Sequence, residues 1–129
     1  MRVAEAQLWA GMLDDAVATA RATIEVCRTA LRGNLEADAL GVLALALLRR
    51  GGISGLAEAG VALDQADGLF DRTGAETDRP NLLEWRAEAA TVKGEAAVQA
   101  ELLVQAAVQF AAIGARLQAE RIRTLLPQT

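Results

Sequence analysis

Apolar positions along the chain recur at alternating steps of three and four, the period of a helix with one buried face. Leu13, Ala16 (with Val17), Ala20, Ile24, Cys27 and Leu31 form one such stripe. Leu56, Ala59, Leu63, Ala66 and Phe70 form a second, and Leu103, Ala106, Phe110 and Ile113 a third. Each stripe follows another helical pattern, and a glycine divides the two. Gly11 closes "AEAQLWA", Gly52 follows "DALGVLALALLRRG", and Gly94 follows "NLLEWRAEAATVK". These glycines stand 41 and 42 positions apart. The spacing predicts three helical hairpins, over about 1–33, 35–73 and 80–114, and a closing helix over about 116–126, all in a single domain over 1–129.

The residues around each glycine agree with that reading. Glycine ends a helix at little cost because it can take the left-handed conformation that satisfies the last carbonyls. Asp14 and Asp15, Ser54 and Glu95 stand near the next helix start, where acidic and hydroxyl groups meet free amides and the positive end of the dipole. Arg49, Arg50 and Lys93 stand just before their glycines, where positive charge suits a helix C-terminus. Between hairpins, "RGNLEA" and the longer "DRTGAETDRPN", with its glycine, threonines, charges and Pro80, read as loops.

Composition narrows the fold to all-α. Alanine supplies 29 of the 129 residues, tyrosine is absent, and the two prolines, two phenylalanines and two tryptophans leave little strand-forming content. Alanine buries little apolar area, so the core is expected to be thin, with helices closely approached. The formal net charge of −4 argues against a nucleic-acid partner, which needs a basic stripe for the phosphates. A helix–turn–helix reading of "LLRRGGISGLAEAGVALDQA" fails on the same ground, since its second helix carries Glu58, Asp64 and Asp67 and no basic residue. "ALGVLALALL", from Ala39 to Leu48, is about half the roughly 20 residues of a membrane span and reads as a buried core helix. The single Cys27 cannot form an internal disulfide and lies on an apolar stripe, which fits a buried thiol in a reducing cytoplasm.

At the junctions the chain begins to resemble a family. "GMLDDA", with Gly11 five residues before Ala16, resembles the turn of a tetratricopeptide (TPR) repeat, and "GISGLA", from Gly52 to Ala57, matches it again. In that family the small alanine marks the point where the two helices of a hairpin cross closely. The third copy departs, with Gln99 where alanine is expected, and Ala106 with Phe110 fits better seven residues on. The period also exceeds the 34 residues of regular TPRs. "AEAQLWAGMLDDAVATARATIE" and "FAAIGARLQAERIRTLL" resemble the degenerate helical repeats of bacterial LuxR-type ATPase regulators and some class III adenylyl cyclase proteins. In such proteins the repeats accompany nucleotide- and DNA-binding domains. This chain has no phosphate-binding GxxxxGK[ST] loop, so the resemblance implies a free-standing module or a piece of a longer regulator.

Catalytic chemistry finds few residues to work with. With no histidine, the commonest general base and metal ligand is absent, and Cys27 has no partner to activate it. No metal and no cofactor is expected. Asp64, Asp67 and Asp71 share one helix face and could be imagined as a magnesium or acid–base site, but a solvated acidic stripe opposite Leu63, Ala66 and Phe70 accounts for them. Trp9 and Trp85 fit core positions in a chain this poor in aromatics, although interfaces also favour tryptophan. Arg49 and Arg50 fit helix caps first and a grip on an acidic peptide second.

The resemblance implies a non-enzymatic, cytoplasmic interaction module whose first helices line a concave surface for a protein or peptide partner. Mapped by the three glycines, that surface takes Glu5, Leu8 and Trp9 from hairpin one and Val42, Arg49 and Arg50 from hairpin two. Asn81, Glu84, Glu88 and Thr91 come from hairpin three. The alternative is self-association as a homodimer through the N-terminal hairpin, whose first helix, "VAEAQLWAGM", is apolar nearly all round. A small-molecule sensor or small enzyme using carboxylates is the minor alternative.

Overall fold

The computed structural model describes residues 2–74 and 78–126, and among them the chain is all-helical with no strand. Seven α-helices follow in order: α1 (Arg2–Trp9), α2 (Leu13–Thr29), α3 (Gly33–Gly51), α4 (Leu56–Thr73), α5 (Arg79–Lys93), α6 (Ala96–Ala112) and α7 (Arg116–Leu125). A 3₁₀ turn, Gly52–Gly55, joins α3 to α4. The chain divides into two compact units, Met1–Ala75 and Glu76–Thr129. The loop expected at "RGNLEA" is shorter than read, because α3 already starts at Gly33. Of the longer loop, residues 75–77 lie outside the described residues, as does Pro127.

In the first unit α3 is the central element, packed by α1, α2 and α4. Every residue from Ala39 to Leu48 is buried except Leu45, which is half-buried, so the apolar run is a core helix. One expectation needs correction on length. The helical run Gly33–Thr73 holds an 18-residue window of mean hydropathy 1.4, apolar and long enough to cross a membrane by composition. That run is α3, the 3₁₀ turn and α4 folded back on one another, and 56% of the window is buried inside the protein. α2 contributes Ala16, Val17, Ala20, Ile24 and Cys27, and α4 contributes Ala59, Ala62, Leu63, Ala66, Leu69 and Phe70. Cys27 is free and buried.

The close crossing of α3 and α4 sits at Gly55, not at Ala57 as the repeat pattern implied. A side chain on Gly55 would place its Cβ 2.8 Å from the carbonyl carbon of Leu47 and closer still to the oxygen. Ala57 is exposed. The 3₁₀ turn causes the shift, because its tighter winding changes which residue faces α3. Ser54 likewise caps nothing in α4; its hydroxyl donates to the Gly51 carbonyl at 2.8 Å. Ala16, by contrast, is fully buried as the pattern implied.

In the second unit α6 packs on α5 and α7. Its core gathers Ala87, Leu103, Ala106, Ala107, Phe110, Ala119 and Ile122, with Leu83, Leu102, Ala115 and Leu126 against its edge. Ile113, read as part of the α6 stripe, is exposed at the end of the helix.

The ends of α1, α2, α5 and α6 share one turn geometry, with one anomaly. At Gly11 the next amide, of Met12, donates to the Gln7 carbonyl at 2.8 Å, and the Gly11 amide donates to Leu8 at 3.1 Å. This paired closure recurs at Gly94 and Gly114 and requires the residue at its centre to be left-handed. At the end of α2 the same closure is centred on Leu31, with φ 56°. Leu31 therefore does not continue the α2 stripe; its side chain is 90% exposed. A left-handed leucine costs roughly 1–2 kcal/mol against a right-handed one. Leu31→Gly is thus expected to raise stability by about 0.5–1 kcal/mol, once glycine's extra unfolded-state freedom is subtracted. Urea unfolding checks this, and a lower midpoint would contradict it.

Candidate functional site

Of the ten residues assigned to a concave surface, two are buried in the core of the first unit. Leu8 and Val42 are corrected outright: each is 6% exposed and belongs to the core. The reason is packing, since α1 lies on α2 and α3 and needs an inward apolar side chain, and α3 is enclosed by three helices. Trp9 is 79% exposed, which overturns its reading as a core residue; Trp85 is half-buried. Glu5, Arg49 and Arg50 are exposed, and Arg50 donates to Asp14 at 3.1 Å, tying the end of α3 to the start of α2. In the second unit Asn81, Glu84 and Glu88 are half-buried and Thr91 is exposed. Arg121 of α7 pairs with Glu84 at 2.8 Å, and the Thr91 hydroxyl donates to the Ala87 carbonyl at 3.0 Å. Part of the α5 face read as open is therefore engaged by its own unit.

One concavity of the first unit lies on the second helices of its hairpins. A groove of about 320 Å³ runs between α2 and α4 with α3 beneath it. Its apolar lining comes from Ile24, Leu40, Leu43 and Ala62, with Val61 on the rim. Arg21 and Arg28 stand seven residues apart on α2, facing Glu58 and Gln65, seven apart on α4. Two helical turns separate each pair, so like positions fall on the same face.

The two arginines are held differently. Arg21 pairs with Glu58 across the groove, and both side chains are about half exposed. A pair so accessible contributes about 0–1 kcal/mol, so an incoming polar group can replace either partner at small cost. Arg28 has three partners: Glu36 at 3.1 Å, Gln65 at 3.3 Å and Glu25 at 3.4 Å. The Glu36 side chain is only 12% exposed, which makes this the firmer end of the groove. The arginine fork spans acceptors from three helices because its donors point in several directions in one plane. Arg28 positions the walls, and Arg21 is the exchangeable contact.

None of these groove residues was read as a binding residue from the sequence; Ile24 was read as part of an apolar stripe and Glu58 only as an acidic residue. A signal was present: charged or amide side chains at seven-residue spacing beside each apolar stripe. Asp64 and Asp71 are exposed, Asp67 is half-buried, and no group of three His, Cys, Asp or Glu among the described residues is placed to hold a metal. The groove brings together no nucleophile with a base; it offers apolar surface ringed by exchangeable hydrogen-bonding groups. No protein-family model, no curated protein and no solved structure matches the chain.

Proposed function

We propose that this chain is a non-enzymatic protein–protein interaction module of a bacterial regulatory or signalling protein, acting in the cytoplasm. The finer architecture proposed is TPR-like, with three hairpins in a right-handed superhelix and a closing helix. The observation that carries the reading is the groove between α2 and α4. Its volume of about 320 Å³ falls at the lower end of the usual range for ligand pockets, and its apolar lining with few polar groups is the usual chemistry of such sites. A partner segment would lay an apolar side chain over Ile24, Leu40 and Leu43 and offer polar groups to Arg21 and Glu58. Recognition thus moves from the first helices, where the resemblance placed it, to the second.

Selection of binding peptides from a displayed random library against the full chain tests this. Val61 is 57% exposed, so Val61→Glu places a charge on the groove rim with little effect on folding. The selected peptides should lose about tenfold or more in affinity for Val61→Glu and for Arg21→Ala, as for loss of a central contact. Peptides that bind both variants like the parent would place recognition elsewhere.

Self-association is the second reading, and Trp9 favours it. Val3 and Met12 on the same hairpin are also exposed. Exposed tryptophan is enriched at interfaces, and Trp9→Glu should then give a helical monomer by light scattering.

A further inference from the structure

Resting on the reading of the groove between α2 and α4 as a docking site, we propose that its occupant is an amphipathic helix of a partner protein. One flank of that helix carries a carboxylate toward α2, and the other a lysine or arginine toward α4. The charge order follows from one rung of the groove. Among the described residues Arg21 has one partner, Glu58, and Glu58 has one, Arg21. A carboxylate brought alone to Arg21 would leave Glu58 without a cation, and a lone cation would leave Arg21 without an anion. A partner with both signs replaces one pair by two and leaves no charge uncompensated. The other rung makes no such exchange. Arg28 is held by Glu36, whose side chain is 12% exposed, so drawing Arg28 away would strand a nearly buried carboxylate. Its partner across the groove, Gln65, is neutral. Charge is therefore read at the Arg21–Glu58 end alone.

The shape of the groove selects a helix. Arg21 faces Glu58 and Arg28 faces Gln65, so α2 and α4 run parallel and in register over seven residues, about 10.5 Å. Ile24, Leu40, Leu43 and Ala62 line the interval. A helix laid along it presents apolar residues at steps of three and four to that lining over the same two turns. Its flanking residues then reach both walls, the division of seam and flank by which paired helices choose partners. An extended segment fits less well, because its side chains alternate between floor and solvent and none is directed at the walls.

A displayed library of helical peptides, with leucine fixed at i, i+3 and i+7 and both flanks randomised, is selected against the full chain. Enriched peptides should carry Asp or Glu on one flank and Lys or Arg on the other. The double exchange Arg21→Glu with Glu58→Arg keeps a pair across the groove and reverses its sense. Its helical content should match the parent's, since both positions are about half exposed. Selected peptides should bind it about tenfold or more weakly, and exchanging the two flank charges of a peptide should restore the affinity. Arg21→Gln with Glu58→Gln, neutral on both walls, should bind peptides of either order alike. Peptides that bind the exchanged chain like the parent, yet lose affinity for Val61→Glu, overturn the charge order and leave the groove a docking site. Peptides indifferent to both variants, or a library that yields no binder, overturn the charge order and the docking role together.

Discussion

Phe70→Ala is expected to destabilise the protein by about 3–5 kcal/mol, the range for truncating a buried aromatic ring without full collapse of the cavity. Phe70 is among the largest fully buried side chains of the chain. It stands near the end of α4 in a core otherwise filled mainly by alanine and leucine. Alanine neighbours have no rotamers with which to fill a void, so the cavity should persist and the cost should fall toward the upper end. Against a domain stability of about 5–15 kcal/mol, such a loss leaves a substantially unfolded population on mild heating. Urea unfolding followed by circular dichroism reads it as a lower midpoint at unchanged slope. A loss under about 1 kcal/mol would mean that the ring is not the centre of this core.

Gly55→Val should be the second large effect. An added Cβ meets the Leu47 backbone, which cannot rotate away as a side chain can, so α3 and α4 must separate. Overpacking of this kind costs about 1–3 kcal/mol even for small additions, and a β-branched residue sits at or above the top of that range. Gly55→Ala should already cost about 2 kcal/mol. Ala57→Trp is the informative control, because the repeat pattern makes Ala57 the crossing residue whereas the structure leaves it exposed. It should change stability by no more than about 0.5 kcal/mol, as surface substitutions do. If Ala57→Trp is destabilising and Gly55→Val is not, the register of the second hairpin is the one the repeat pattern implied.

These contrasts mark where local pattern stops carrying information. The sequence by itself determined the helices, their order and most of their ends. Periodicity of three and four, alanine content and the glycines at 11 and 94 act within a few residues of each position, and local interactions suffice to read them. It also determined the buried faces of α2, α4 and α6, since Ala16, Ile24, Phe70 and Phe110 lie inward in the structure as in the pattern.

Only tertiary structure decided the rest. Whether Leu8 and Val42 face a partner or the core depends on which helices surround α1 and α3, and no spacing within either helix encodes that. The same holds for Trp9, whose apolar character fits a core as well as an exposed face. The shift of the crossing from Ala57 to Gly55, two residues along the chain, goes with a 3₁₀ turn, which winds more tightly than the α-helix the pattern assumes. The groove of Arg21 and Arg28 exists because α2 and α4, some 37 residues apart in the chain, are brought side by side over α3. Charge partners across that distance have no signature in local periodicity. Leu31 is the sharpest instance: a leucine one step of four beyond Cys27 continues the apolar stripe on paper, while the helix closure turns it out to solvent. The stripe is a property of the helix, and the helix had already ended.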